Sequence, residues 1–344
     1  MPAPDRASLI AWPEDFGTRF TIFVDTEEEF DWRKPLDRDS RGTTAIRGLP
    51  DAHRRLADRG AALTYLIDHP IATDQSAVEI LRRLIEDGRS AVGTQLHPWV
   101  NPPFEEEVNG FNSFAGNLPQ SLEAAKIAAL TDAIEAGFGA RPIAYRAGRY
   151  GLGPNTLGLL AAQGYRLDTS MRAAYDYSTE CGPDYGAVPN HAFRAGPGGA
   201  VVELPFSTVF TGLARAGGAA LHAGLSRVPR GIGAASRLRL LSRVALTPED
   251  MPVHEALEAV RIAVGQGQRV LNFAFHSPSV VPGHTPYVRD AAGLAAFNHW
   301  WDAVLDLLGS LGVRSASLDE LLAAADSACG GGPTSASPLP AGGL

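Results

Sequence analysis

Short apolar, β-branched runs alternate along the chain with longer stretches whose apolar residues recur at helical spacing. The first run, Phe20-Thr21-Ile22-Phe23-Val24, has the composition of a buried strand and passes directly into Asp25, Glu27, Glu28, Glu29 and Asp31. A strand interior does not hold ionised carboxylates without a cation or donors, so these acids belong where the strand leaves the core. Side chains alternate along a strand, which puts Asp25 and Glu27 on one side. The pattern then predicts a helix over 46–59, stopped by Gly60, and a strand over 62–68 ending at Asp68-His69-Pro70. Val78, Leu81, Leu84 and Ile85 mark a second helix, ended by Gly88. A strand over 90–97 carries Gln95 and His97 on one face and closes at Pro98. Residues 99–119 contain three prolines and read as a long loop, which in a compact domain usually has a functional task.

The second half continues the alternation. Helix 121–136 precedes strand 142–147, which holds Arg146; a helix running to Gly164 precedes strand 165–170, which holds Asp168. Strands follow over 201–206 and over 269–276, the latter ending in His276. Between them, residues 211–246 carry six arginines and no acid among many Gly and Ala, and read as two small-residue helices inserted between barrel units. Thr247-Pro248-Glu249-Asp250 has the form of a helix start, with Thr as N-cap, Pro at the first position and acids in the first turn. A helix over 291–311, a short strand over 313–318 and a helix over 319–325 finish the pattern, and 329–344 reads as a disordered Gly/Pro/Ser tail. At least six strand–helix alternations imply an α/β fold with a parallel sheet and right-handed crossovers. Their number and the chain length favour a (β/α) barrel, incomplete or distorted, over residues 1–328 as one domain. Chemistry in such barrels collects at the C-terminal strand ends.

Composition narrows the partners. A net charge of −8 disfavours nucleic acid. Two distant cysteines, Cys181 and Cys329, fit a reducing compartment and exclude a cysteine zinc site. No apolar leader core precedes Phe16 and no run is long enough to span a membrane, so a cytoplasmic protein is expected. No Gly-rich phosphate loop and no Gly-x-Ser-x-Gly elbow follows any strand.

The polar residues at the strand ends are therefore the candidates for chemistry: Asp25 and Glu27, Asp68 and His69, Gln95 and His97, Arg146, Asp168, and His276. In this order they resemble the five motifs of the polysaccharide deacetylase family, also called NodB-like or carbohydrate esterase family 4. The matching segments are Phe23-Val24-Asp25-Thr26-Glu27, Gly93-Thr94-Gln95-Leu96-His97-Pro98-Trp99, Tyr145-Arg146-Ala147-Gly148-Arg149-Tyr150, Leu167-Asp168-Thr169-Ser170 and Phe273-Ala274-Phe275-His276-Ser277. They span about residues 20–280.

The resemblance implies a seven-stranded NodB-like barrel and metal-dependent removal of N-acetyl groups from a polysaccharide or amino sugar. It implies a divalent ion, zinc first, with Glu27 and His97 as ligands. It also implies Asp25 as base, Arg146 as its partner, and His276 as the acid, oriented by Asp168. The family's second motif holds two histidines four residues apart; this chain offers only His97, with Gln95 where the first histidine is sought. His69 or His284 is then the candidate third ligand. Gln95, Trp99, Trp32 and Tyr150 are the candidate substrate contacts, the tryptophans as stacking platforms or as packing. Glu28, Glu29 and Asp31 read as loop charge. Two other readings stand beside the deacetylase: a carbohydrate-binding homologue without activity, and a hydrolase of a non-peptide C–N bond in a small molecule.

Overall fold

The computed structural model describes residues 1–31 and 34–328; Trp32 and the expected tail 329–344 lie outside them. The strands in chain order are β1 (Arg19–Thr26), β2 (Leu63–Ile67), β3 (Ala91–Leu96), β4 (Ala144–Ala147), β5 (Leu167–Asp168), β6 (Phe193–Ala195), β7 (Val201–Glu203), β8 (Thr208–Thr211), β9 (Ser242–Ala245), β10 (Val270–His276) and β11 (Arg314–Ser315). The helices are α1 (Leu49–Ala57), α2 (His69–Thr73), α3 (Gln75–Leu84), α4 (Gln120–Phe138), α5 (Thr156–Ala162), α6 (Gly218–Ser226), α7 (Gly231–Arg237), α8 (Val253–Gly265), α9 (Ala291–Ser310) and α10 (Leu318–Ser327).

The main sheet runs β10-β1-β2-β3-β4-β5-β7-β6, with β11 added beside β1; every pairing is parallel except β6 with β7. β1 is central because Phe20 to Thr26 are all buried, which an edge strand does not allow. The sheet curls into an incomplete barrel with helices around it. Its two flanks meet through single bonds rather than a ladder. The Ser207 amide donates to the Asn272 carbonyl at 3.3 Å, the Asn272 amide donates to Ser207 Oγ at 2.9 Å, and the Ala274 amide donates to the Leu246 carbonyl at 3.3 Å.

Strand alternation divides the barrel. Ile22 and Val24 face the surrounding helices, whereas Phe23 packs inward with Leu66, Ala144, Leu167 and Val202. The lower mouth of that interior is plugged by Leu318, Leu321, Leu322 and Ala325 of α10. The upper interior positions one step along each strand are polar: Asp25, Gln95, Arg146 and His276. Gly93 makes room for this arrangement, since a Cβ there would lie 2.7 Å from Leu66 Cδ2 and 2.9 Å from the Ala144 carbonyl. No histidine fits at that position.

Three readings of the sequence change. The two small-residue helices in 211–246 are present as α6 and α7, but they are carried on an unforeseen antiparallel hairpin, β8 with β9. β6 lies between the strands expected over 165–170 and 201–206, where the pattern predicts none. Thr247 does not start a helix: its hydroxyl accepts the Glu249 amide at 3.2 Å, but Asp250 at φ 59° turns the chain away and α8 begins only after Pro252. Among the described residues no helix is long and apolar enough to cross a membrane.

The expected loop 99–119 is present with only short 3-10 turns, and one buried lysine on α4 anchors its start. Lys126 Nζ donates to the carbonyls of Pro98 (3.0 Å), Asn101 (2.6 Å) and Pro103 (2.7 Å) and pairs with Glu106 at 3.0 Å. Replacing Lys126 by Met leaves those carbonyls unmatched and leaves Glu106 with only the longer Arg38 contact, 3.5 Å. The variant should lose about 3 kcal/mol in urea unfolding and be cleaved by proteases within residues 98–119. Unchanged stability and unchanged cleavage would show that water replaces the ammonium at no cost.

Candidate active site

The parallel register sets Asp25 directly beside His276, because β1 and β10 pair residue for residue up to that level. Arg146 reaches Asp25 from β4 and donates from Nη1 to Oδ1 at 2.5 Å. Its orientation is fixed from the other side, where Nε donates to the Thr169 carbonyl at 3.1 Å and Nη2 to Thr169 Oγ1 at 3.3 Å. Asp25 Oδ2 is left 3.8 Å from His276 Nε2. The other imidazole nitrogen, Nδ1, lies 2.6 Å from Glu249 Oε2, and the His276 amide donates to Glu249 Oε1 at 3.1 Å. Ser279 Oγ donates to the same carboxylate at 2.5 Å. Burial alone would lower the His276 pKa, but the carboxylates of Glu249, Glu27 and Asp25 outweigh it and raise the group to about 10. At neutral pH His276 is an imidazolium that faces a carboxylate oxygen across a gap.

A second cluster abuts the first. Glu27 is buried, its Oε2 lies 3.6 Å from His97 Nε2, and its Oε1 has no hydrogen-bond partner among the described residues. Desolvation raises Glu27 to about 8, against the pull of His276 and His97. Behind His97 stands Glu28, fully buried. Glu28 Oε2 lies 2.8 Å from His97 Nδ1, and Oε1 accepts Trp99 Nε1–H at 2.8 Å. Asp68, at the end of β2, accepts the amides of Glu28 (2.7 Å) and Ile71 (2.9 Å). Burial first and the Glu28 charge second push Asp68 well above the usual carboxylate range, so it holds a proton for Glu28. Burial also raises Glu28, to about 7.

The structure brings together Asp25, Glu27, Gln95, His97, Arg146 and His276 around one cavity of about 810 Å³, with Tyr150 and Trp99 in its wall. Trp99 stacks one face on His97 with ring centroids 4.4 Å apart and is 2% exposed, so it packs rather than offering an open platform. Tyr150 reaches its place through left-handed backbone at Arg149 (φ 54°) and Tyr150 (φ 58°), a costly conformation for residues with a Cβ. Asp168 is corrected: it does not meet His276. It is fully buried below the cavity and accepts Ser170 Oγ–H at 2.5 Å. The unmatched oxygens Asp168 Oδ2 and Glu203 Oε2 are reconciled by a shared proton, since burial and the Asp168 charge raise Glu203 well above its usual range. His69 is corrected too: it opens α2 and lies outside the cavity wall, while its neighbour Asp68 joins His97. His284 pairs with Glu29 at 3.3 Å and lines a separate cavity.

Two residues that hold the site's histidines do not stand out in the sequence. Glu28 reads as loop charge in the run of acids after Thr26, but it is fully buried against His97 and Trp99. Glu249 was hidden by the helix-start signature around it.

The residues suit a metal ion in two ways. Glu28, Asp68 and His97 each offer a ligand atom, all within 4.8 Å of one another. That group is closed by its own hydrogen bonds and lies behind the cavity wall. On the cavity side, a neutral His97 that donates Nδ1–H to Glu28 presents the Nε2 lone pair beside Glu27. Glu27 Oε1 and Gln95 Oε1 are both buried acceptors without a donor among the described residues. A carboxylate behind a ligating histidine is the usual support of a metal-bound imidazole.

No protein-family model and no curated protein matches the chain. Solved structures do. A protein assigned as a polysaccharide deacetylase from Mycobacterium smegmatis is similar at TM-score 0.55 and 16% identity, over 100% of this chain and 99% of that one. One so assigned from Pseudomonas aeruginosa PAO1 is similar at TM-score 0.52 and 12% identity, over 91% and 92% of the two chains. An allantoinase is similar at TM-score 0.50 and 12% identity, over 92% and 91%. At these identities the likeness establishes the fold, an open NodB-like (β/α) barrel, and it agrees with the resemblance read from the five motifs.

The raised groups make stability pH-dependent. Glu27 ionises near 4.5 in the unfolded chain but at about 8 in the folded one, so the folded form binds the extra proton and stability falls as pH rises through that window. The contribution of His276 is complete below 6.5 and is lost as pH rises toward about 10. In chelator, the melting temperature should fall steadily from about pH 5 to about pH 9. Glu27→Gln should flatten the part below about pH 8, the gap from wild type widening by up to about 1.4 kcal/mol per pH unit. Parallel profiles for the two proteins would contradict this assignment.

Proposed function

We propose that this protein hydrolyses a carbon–nitrogen bond, removing the acyl group from an N-acylated amino sugar with the help of a divalent metal ion. The observation that carries this reading is the pair formed by Asp25 Oδ2 and the His276 imidazolium, 3.8 Å apart at the floor of the cavity. Asp25 takes a proton from the attacking water, and Arg146 balances its charge and aims the free oxygen. His276 gives its proton to the departing nitrogen, and Glu249 holds the ring by Nδ1 so that Nε2 does the donating. The nearest candidates to hold the ion are His97 and Glu27, backed by Glu28; zinc fits this imidazole and carboxylate set. When bound, it supplies a Lewis acid that makes the acyl carbonyl more electrophilic and water more acidic.

The intact acid and base favour an enzyme over a homologue that only binds carbohydrate. The cavity volume, about 810 Å³, suits one or two sugar rings or another small molecule more than a long polymer. It therefore also supports the reading as a small-molecule C–N hydrolase.

Acetate release from N-acetylated mono- and disaccharides tests the proposal. Asp25→Asn and His276→Gln should each lower kcat by roughly 10²- to 10⁴-fold. Glu249→Gln removes the largest influence that raises His276, so the alkaline limb of the rate profile should move to lower pH. Metal content and reloading with zinc, cobalt or nickel test the ion. No bound metal and no activation would overturn the metal assignment; no acyl release from any substrate would overturn the deacetylase reading.

A further inference from the structure

We propose that the substrate carries a carboxylate that docks on Arg172, a few bonds from the acyl–nitrogen bond. This rests on the reading of the cavity as an active site and adds the charge of its substrate.

The inference starts from the charges around the cavity. Arg146 is paired with Asp25 at 2.5 Å, Arg149 with Glu180 at 2.6 Å and His276 with Glu249 at 2.6 Å. Lys34 lies 3.9 Å from Asp31. Arg172 lines the same cavity, yet among the described residues it has no carboxylate partner. Its acceptors are neutral phenols: Nη1 donates to Tyr177 Oη at 3.2 Å and Nη2 to Tyr175 Oη at 2.9 Å. Nε has no acceptor. The guanidinium has five N–H groups, so each Nη keeps one donor beyond these bonds. Asp250 stands exposed at the rim, and the ion pairs of the described residues do not join it to Arg172.

A partly buried cation left without a counter-ion is costly unless a ligand brings one. The phenols fix the orientation of the group without consuming its charge. The guanidinium carbon lies 3.6 Å from the Tyr175 ring centroid, with Arg243 at 3.5 Å from the same centroid. A rigid planar fork of this kind matches a carboxylate.

The position suits a substrate contact. Tyr150 and Phe206 stack with centroids 6.1 Å apart. The Arg146 guanidinium lies 5.8 and 6.0 Å from these two rings, and that of Arg172 lies 5.5 and 5.3 Å from them. The base-holding arginine and the unpaired arginine therefore border the same aromatic pair. One small molecule can reach both, with the acyl carbon near Asp25 and the anion on Arg172.

The test is calorimetric binding to the full-length His276→Gln variant, which separates affinity from turnover and keeps the Arg146–Asp25 pair. The probes are N-acetylmuramic acid, N-acetylneuraminic acid and N-acetylglycine, each compared with its methyl ester. At least one acid should bind roughly tenfold or more tightly than its ester. Adding Arg172→Gln should erase that difference while leaving the ester's affinity unchanged; Arg172→Lys should keep part of it. A purely packing role for Arg172 would weaken acid and ester alike. Equal binding of acids and esters, no binding of any acid, or a preference that survives Arg172→Gln overturns the proposal. If the Gln variant does not fold, the comparison of acid with ester in the parent protein decides. Acyl release from neutral substrates without an acid preference would sink this inference alone, whereas an acid preference without any hydrolysis would sink the catalytic reading alone.

Discussion

The buried pair of Arg146 and Asp25 is the constraint on which the site depends. An arginine 1% exposed inside a barrel is tolerable only if its charge and its donors are met. Asp25 meets the charge, and Thr169 meets the donors on the opposite side. The pair thereby ties β1 to β4 and to the segment after β5 across the open interior. It also decides which oxygen of Asp25 is spent on structure and which faces the cavity. Because β10 is in register with β1, the free oxygen necessarily looks toward His276.

Around this pair the protein manages more buried carboxyl groups than it has cations for. It does so with protons and neutral donors. Asp68 keeps a proton for Glu28, and Glu203 keeps one for Asp168, because ionising both members of either pair in a dry interior would cost too much. Trp99 and His97 supply the remaining bonds to Glu28. Glu27 keeps, on the cavity wall, an oxygen that nothing among the described residues satisfies. The same reasoning in reverse applies to Arg172, a cation answered only by phenols. Two unmatched acceptors, on Glu27 and Gln95, and a cation met only by phenols line one cavity and describe what its contents must bring: a positive centre or donor near Glu27 and a negative one near Arg172.

The loops make the cavity usable. Lys126 gathers three carbonyls of the 98–119 segment, so the segment that starts at His97 and Trp99 is fixed at its root. Thr247 to Asp250 crosses the rim as a turn and delivers Glu249 to His276. Neither device belongs to the strand–helix repeat that builds the barrel.

Much of the fold was legible in the chain itself, for a local reason. A run such as Phe20 to Val24 can only be a buried strand, and acids at its end can only sit where that strand leaves the core. The alternation of such runs with helical patterns fixes a parallel sheet, and the parity along each strand selects Asp25, Gln95, Arg146 and His276 for one interior. Tertiary structure decided the rest, because the deciding contacts join residues that no local rule connects. Thr247 to Asp250 satisfies every local signal for a helix start, yet the need of His276 for a carboxylate, twenty-seven residues later, is met by Glu249. Asp168 has the order in the chain expected of that partner, but the short β5 leaves it below the cavity beside Glu203. Glu28 read as solvated charge and is fully buried, since past the end of β1 its direction is set by Asp68, His97 and Trp99 rather than by the pleat. Strand ends and their parity are properties of the chain; which buried charge answers which is settled only when the barrel has closed.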